Sequence, residues 1–220
     1  MTQIRDSVLF DLDGTLWDAT GVTADAWVRV LAAHPGLSPA VPMTVENVRK
    51  YMGLTNEELA EIFFPDLAFD DAFALMMESC DWENRLLPEC GGILYDGVEE
   101  TLRALHEKGV RLFIVSNCQD GYIEAFIRAH RMDGVIMDWE CTGRTGKCKA
   151  DNIRDVIRRN SLHDPVYVGD TVSDKTGADG AGFPLIYAKY GFGESEGRGR
   201  VTEYDDSVDS IRELLSRCIR

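Results

Sequence analysis

The chain has 220 residues, of which 45% are hydrophobic and 28% charged, proportions typical of a globular protein with room for one domain and an insertion. Its formal net charge of −15 argues against a nucleic-acid partner, because phosphate backbones are bound by clustered Lys and Arg. No apolar stretch approaches the ~20 residues that a membrane span needs, and the N-terminal segment becomes acidic too early for a secretory signal, so we expect a cytoplasmic protein with no membrane partner.

The first predicted elements are a short strand and a series of helices. The apolar run SVLF at Ser7–Phe10 predicts a buried strand. From there to Pro88, apolar residues recur at helical spacing between residues that begin or end helices, such as Thr44 and Gly53. We therefore expect a compact helical unit over residues 17–91. Its helices are predicted at 23–33, 44–53, 55–63 and 71–87.

After residue 91 the predicted elements alternate between strand and helix. Strands are expected at 112–115, 134–137, 166–168 and 184–187. Helices are expected at 96–109, 121–129, 150–160 and 207–218. This alternation predicts an α/β fold, a doubly wound parallel sheet of the Rossmann-like type with helices on both faces. Because the first strand belongs to that sheet, we expect a core of residues 1–16 and 92–220 and an inserted helical domain at 17–91.

Polar side chains follow three of the predicted strands at the point where each strand ends. They are Asp11 and Asp13, then Ser116 and Asn117, then Asp170 and Asp174. In a parallel sheet these strand ends meet at one edge, where ligands bind. Clustered carboxylates repel one another, so they persist together where a cation or a proton neutralises them. Oxygen ligands suit Mg²⁺, and a hydroxyl beside them suits phosphate, so the sequence predicts a site for both.

Two lysines, Lys147 and Lys149, precede the helix predicted at 150–160. A lysine at the start of a helix places a positive charge where a phosphate would lie. We favour Lys149, because a residue closer to the helix start is nearer to the oriented N–H groups. Lys147 remains the alternative.

The order of these motifs resembles a known family. DLDGT at 11–15, VSN at 115–117, a following lysine and GDTVSD at 169–174 resemble the haloacid dehalogenase superfamily of phosphotransferases. The segment GADGAGFPLIYAKYG after the last motif extends the likeness over the whole α/β part. The insertion resembles the helical type-1 cap of phosphoglycolate phosphatase and β-phosphoglucomutase relatives. The sequence after Lys147 departs from one family form, K-P-x-P, since no such proline pair is present.

The resemblance implies roles for the site residues. Asp11 would be the nucleophile that forms an aspartyl phosphate, and Asp13 the general acid and base. Mg²⁺ would be held by Asp11, the backbone carbonyl of Asp13 and Asp170, with Asp174 in support. The phosphate would be bound by Ser116, Asn117 and Lys149.

An aspartate two residues after the nucleophile fits phosphate esters, because the leaving alcohol needs a proton. We therefore expect a Mg²⁺-dependent phosphoric monoester hydrolase acting on a small phosphorylated metabolite, phosphoglycolate-like or a sugar phosphate. The alternatives are a sugar-phosphate mutase and a non-catalytic module that senses phosphate or binds a partner. Arg49, Lys50 and the turn at Gly53 are candidates to reach the distal group of a substrate. A monomer and a dimer are both compatible with the sequence.

Overall fold

The computed structural model describes residues 5–195 and 199–219. Its strands are β1 (Ser7–Phe10), β2 (Trp17–Asp18), β3 (Ile93–Leu94), β4 (Arg111–Ser116), β5 (Ile136–Cys141), β6 (Pro165–Gly169), β7 (Leu185–Ala188), β8 (Glu194–Ser195), β9 (Gly199–Arg200) and β10 (Asp206–Val208). Its α-helices are α1 (Thr20–Ala33), α2 (Val45–Tyr51), α3 (Asn56–Phe63), α4 (Phe69–Cys90), α5 (Val98–Glu107), α6 (Tyr122–Ala129), α7 (Thr142–Thr145), α8 (Lys149–Arg159), α9 (Val172–Ala181) and α10 (Leu214–Cys218). Residues 1–4, 196–198 and 220 belong to the predicted core segments but lie outside the described residues. None of the helices just named combines the length and the apolar composition that crossing a membrane requires.

A six-stranded parallel sheet runs through the centre in the order β10-β7-β6-β1-β4-β5. Strand β1 lies between β6 and β4, with Phe10 in register with Ile114 on one side and Val168 on the other. All four residues of β1 are buried, as expected for a strand covered on both faces. This register brings the carboxyl ends of β1, β4 and β6 side by side.

Alternate residues of β1 pack into two different hydrophobic clusters, because successive side chains of a strand point to opposite faces. Val8 and Phe10 belong to the cluster that includes Leu102 of α5 and Phe126 of α6. Leu9 belongs to the other cluster, which is formed with side chains of α8 and α9. Helices therefore cover both faces of the sheet, which confirms the predicted doubly wound α/β fold.

Helices α1 to α4 lie between β2 and β3, which pair antiparallel so that the chain leaves and rejoins the sheet region at one place. These helices have a hydrophobic cluster of their own, which includes Trp27, Phe63 and Met76. Trp17 packs instead in the cluster of the sheet. The assignment of residues 17–91 to a separate cap domain stays a prediction.

Two predicted elements near the sheet edges were wrong in their extent. The helix predicted at 207–218 begins as strand β10, where Ser207 pairs with Tyr187, and only Leu214–Cys218 is α-helical after a 3₁₀ turn. The strand predicted at 134–137 is β5 and continues to Cys141. Both β10 and β5 are edge strands, where polar residues are tolerated, so apolar runs do not mark them.

Two helices also differ from expectation. Helix α4 continues to Cys90 although Pro88 was predicted to end it. Proline in a last turn removes only one hydrogen bond, and the helix ends at Gly91, whose φ of 65° and N–H bond to the Leu87 carbonyl (2.8 Å) form the stop. Helix α9 was not predicted, because its sequence VSDKTGADGA contains two glycines and little apolar periodicity.

Candidate active site

Three buried carboxylates meet at the carboxyl end of the sheet. Asp11 follows β1, Asp170 follows β6, and Asp174 lies in the first turn of α9. One carboxylate oxygen from each lies within 4.8 Å of the others. The Asp11 N–H donates to the Val168 carbonyl at 2.9 Å, so the pairing of β1 with β6 continues up to the first of these residues. The adjacency of the two strands is therefore what brings the carboxylates together.

Lys149 is the buried cation of this cluster. Its Nζ lies 3.1 Å from Oδ1 of Asp11 and 2.6 Å from Oδ1 of Asp174, and the residue is 5% exposed. Lys147 is exposed and pairs with Asp155 instead, at 2.6 Å. The start of α8 thus directs one of the two candidate lysines into the site and leaves the other at the surface.

Asp174 is held on both oxygens. Its Oδ2 accepts from the N–H of Asp170 (3.1 Å) and from the N–H and hydroxyl of Thr171 (2.9 and 2.8 Å). Its Oδ1 accepts from Lys149 and from the Tyr167 hydroxyl, the latter at 3.3 Å. Thr171 and Asp174 also form the capping box that begins α9. With its oxygens engaged by protein donors, Asp174 orients the loop that carries Asp170 and fixes the lysine.

Asp170 is also oriented by neighbouring groups. Its Oδ1 accepts from the Thr15 hydroxyl at 3.1 Å and its Oδ2 from the Phe192 N–H at 2.8 Å. Burial, followed by the neighbouring carboxylates, raises the pKa of Asp170 well above its usual range. Gly14 passes so close that a Cβ there would lie 2.2 Å from Asp170 Oδ2, and its φ is +82°. The glycine of DLDGT is therefore required by both conformation and space.

The two aspartates of DLDGT have different surroundings. Asp13 is buried, and its Oδ1 accepts from the Tyr122 hydroxyl at 2.9 Å. Burial and then the charge of Asp11 raise the pKa of Asp13 well above its usual range. Burial and then Asp174 raise the pKa of Asp11 to about 6, against the opposing effect of Lys149. Burial alone would lower the pKa of Lys149, but the two carboxylates beside it raise it above its usual value.

Ser116 ends β4 and Asn117 follows it, at the same edge of the sheet as the aspartates. Ser116 is buried at the end of the strand and lines a cavity together with Asp13 and Lys149. The Asn117 side chain connects different structural elements. Its Nδ2 donates to the Gly53 carbonyl (3.0 Å) and to the Ser173 hydroxyl (2.9 Å). Its Oδ1 accepts from Thr142 at 3.2 Å. The side chain of Asn117 thus links the turn at Gly53 to the sheet.

The cavity lies between the helical insertion and the sheet edge, with an open volume of about 680 Å³ including the part exposed to solvent. Its floor is formed by Asp13, Ser116 and Asn117 at the strand ends and by Lys149 at the start of α8. Its wall comes from the insertion and is mostly apolar: Trp27, Val48, Leu54, Leu59, Phe63 and Met76. A phosphate at the floor would place the rest of a small substrate against this wall.

Several residues of the site were missed by sequence reasoning. Tyr122 and Tyr167 fall within a predicted helix and a predicted strand, and no motif marks their hydroxyls, which contact Asp13 and Asp174. Thr171 could have been found, because T-x-x-D before a helix is a capping-box pattern. Glu83 of α4 lines the cavity, and no motif marks it.

The donor set of this site fits a divalent cation. The carboxylates of Asp11, Asp170 and Asp174 supply only oxygen atoms, the ligand type that Mg²⁺ prefers. These three positions offer neither sulfur nor imidazole. Burial and then the neighbouring carboxylates raise the pKa of both Asp11 and Asp170, so a bound cation would relieve the repulsion between these groups.

The sequence matches known proteins over most of its length. A family model for haloacid dehalogenase-like hydrolases matches residues 8–188. The phosphoglycolate phosphatase of Pseudomonas fluorescens (strain Pf0-1) is 27% identical over 232 aligned residues, which cover 99% of this chain and 81% of that protein. The phosphoglycolate phosphatase of Pseudomonas putida (strain KT2440) is 29% identical, covering 96% of this chain and 79% of that protein.

A solved structure has the same fold. The crystal structure of a predicted phosphoglycolate phosphatase from Haemophilus somnus 129PT superposes with a TM-score of 0.80 at 21% identity, covering 99% of both chains. The family match extends from β1 to the end of β7 and so includes DLDGT, VSN, the lysine that follows and GDTVSD. The chain therefore belongs to the haloacid dehalogenase-like hydrolases and is an enzyme of the hydrolase class.

Proposed function

We propose that this enzyme is a Mg²⁺-dependent phosphatase that hydrolyses a small phosphate monoester through an aspartyl phosphate on Asp11. The observation that carries the proposal is the contrast between two buried aspartates in one loop, Asp11 beside Lys149 and Asp13 beside Tyr122. The relatives named phosphoglycolate phosphatase support the same reaction class.

Asp11 and Asp170, with the backbone carbonyl of Asp13, would hold the Mg²⁺, and Asp174 would support it by orienting Asp170. When bound, the cation neutralises the carboxylates and withdraws charge from the phosphoryl oxygens. Ser116, the backbone N–H of Asn117 and Lys149 would bind the phosphate, since the Asn117 side chain is engaged elsewhere.

In the first half-reaction a carboxylate oxygen of Asp11 attacks phosphorus, and the bond between phosphorus and the ester oxygen breaks. The leaving oxygen takes the bonding electron pair and receives a proton from Asp13. The raised pKa of Asp13 suits this role, because a carboxylic acid must keep its proton until the leaving group needs it.

In the second half-reaction Asp13, now a carboxylate, takes a proton from water. The water oxygen attacks phosphorus and the bond between phosphorus and Asp11 breaks, which releases phosphate and restores both aspartates. The Tyr122 hydroxyl, which donates to Asp13 Oδ1, holds that carboxyl group in place through both steps.

The helical insertion would act as a cap that selects the substrate and limits access of water, as its position above the cavity suggests. We place the enzyme in the cytoplasm, acting on a soluble metabolite without a nucleic-acid or membrane partner.

The test is p-nitrophenyl phosphate hydrolysis by the Asp11→Asn variant in Mg²⁺. We expect turnover to be abolished while circular dichroism and the melting temperature show an intact fold. Asp25→Asn, an exposed change on α1, is the matched control and should retain wild-type turnover. Full activity in Asp11→Asn would refute the mechanism.

The same preparation separates the alternatives. A sugar 1-phosphate should give free phosphate, whereas a mutase would give the isomeric sugar phosphate. A non-catalytic module would show no Mg²⁺-dependent turnover of any ester.

A further inference from the structure

The cavity wall that faces the proposed phosphate site contains one buried carboxyl group, Glu83 of α4. Glu83 is 7% exposed and lines the same cavity as Asp13 and Ser116. It lies far in sequence from the loops that carry the aspartates, and the phosphatase mechanism makes no use of it. Its position is where the alcohol part of a bound phosphate ester would lie.

The hydrogen bonds of Glu83 leave acceptor capacity for a ligand. Its Oε2 accepts from Gln119 Nε2 at 3.0 Å and its Oε1 from the Ser79 hydroxyl at 3.5 Å. The Thr23 side chain supplies a further hydrogen bond. A carboxylate has about four lone-pair sites, so these three donors leave one acceptor position. Each partner that the described part of the chain gives Glu83 is a neutral donor, and none of these partners supplies a compensating positive charge.

The described lining of the cavity offers no unpaired basic side chain to a second anionic group. Among the described residues that line it, Lys149 is the only basic one, and it is already paired with Asp11 and Asp174. Arg49 and Lys50, which were predicted to reach the distal group of a substrate, do not line the cavity. They pair with other groups, the side chains of Asp18 and Glu46.

We infer that the substrate's alcohol part is not anionic, has an apolar body that packs on the cap helices, and carries a hydroxyl or amine that donates a hydrogen bond to Glu83. This inference rests on the proposed phosphatase function and refines it. A carboxylate on the leaving group would meet Glu83 in a desolvated place with no free cation, which is unfavourable for like charges. Phosphoglycolate, whose leaving group carries a carboxylate, is therefore expected to be a poor substrate.

The experiment compares four alkyl phosphates of matched length that end in a methyl, hydroxyl, amine or carboxylate group. The readout is kcat/KM for phosphate release at pH 8 with Mg²⁺. We expect the hydroxyl or amine ester to exceed the carboxylate ester by ~10-fold or more, the scale of one unfavourable buried charge contact. Which of the two donors is preferred identifies the donor group.

Glu83→Gln should reduce this ratio, chiefly by improving hydrolysis of the carboxylate ester, because the amide keeps the volume but removes the charge. Glu89→Gln, an exposed change on the same helix, should leave the ratio at the wild-type value. General damage to the fold would lower all four rates together, so the ratio isolates the contact with the leaving group. The wild-type ratio tests the inference even where the Glu83 variant fails to fold.

A carboxylate ester hydrolysed by the wild type as well as the hydroxyl and amine esters would overturn the inference. So would a Glu83→Gln variant with unchanged ratios. In both cases hydrolysis of the alkyl phosphate that ends in a methyl group would still support the proposed phosphatase function. If no ester released phosphate, the proposed function would fail and this inference with it.

Discussion

Replacing Lys149 by methionine tests the central electrostatic feature of the site. The change keeps an unbranched side chain but removes the buried cation that lies 3.1 Å from Asp11 and 2.6 Å from Asp174. At pH 8 in EDTA, the two carboxylates are then left without a buried positive charge. Breaking a buried ion pair in this way costs about 3–5 kcal/mol of unfolding free energy, so we expect Lys149→Met to unfold at clearly lower urea.

The pH dependence of this loss has a definite sign. The pKa of Asp11 is raised to about 6 in the folded protein from an ordinary 3.8, so ionisation of Asp11 destabilises the fold as pH rises through this interval. Lys149 is charged throughout that interval and opposes the effect. Without it, the destabilisation by Asp11 grows with pH, so the loss of unfolding free energy in Lys149→Met should be larger at pH 8 than at pH 5.

The assay is urea unfolding followed by fluorescence at both pH values. Lys147→Met is the matched control, because that lysine pairs with Asp155 at the surface and should be dispensable. Equal midpoints for both variants at pH 8 would refute the electrostatic reasoning. A deficit of the same size at pH 5 and pH 8 would assign the loss to packing rather than charge.

Three further predictions concern stability and metal binding. Burial raises the pKa of Glu83 to about 7 from 4.5, so ionisation of Glu83 weakens the fold by up to about 3 kcal/mol as pH rises through this range. Glu83→Gln should therefore unfold at a higher urea concentration than the wild type at pH 8, and at the same concentration at pH 5. Gly14→Ala should lose Mg²⁺-dependent turnover and lower the melting temperature more than Gly109→Ala, because both glycines have positive φ but only the first faces a side chain, that of Asp170. Mg²⁺ at one hundred times its Kd should raise the melting temperature of the EDTA-treated enzyme by the equivalent of about 2.7 kcal/mol of unfolding free energy. Asp170→Asn should lose most of this increase. An unchanged melting temperature in the wild type would contradict the proposed metal site.

Much of the fold and part of the site could be predicted from local sequence. The continuous apolar run at Ser7–Phe10 and the alternation of strands with helices predicted the sheet, because strands buried on both faces are apolar throughout. The edge strands β5 and β10 could not be predicted correctly, because their polar residues follow from their place in the sheet and not from a local period.

The sequence by itself determined which residues stand at the strand ends, because the end of an apolar run is a local property. Asp11, Ser116 and Asp170 could be placed at one edge once the sheet was predicted to be parallel. Only the tertiary structure decided which lysine turns inward, since Lys147 and Lys149 are separated by one residue, and only Lys149, the first residue of α8, reaches the carboxylates.

Tertiary structure also decided the contacts between distant segments. Tyr122 reaches Asp13 across 109 residues of chain, and Gln119 reaches Glu83 across 36. The first contact depends on how α6 packs against the loop after β1, and the second on how the helical insertion packs on the sheet. No local spacing encodes either. The reacting end of the site is therefore set by the strand ends, whereas the surface that meets the leaving group is set by the packing of the insertion on the sheet.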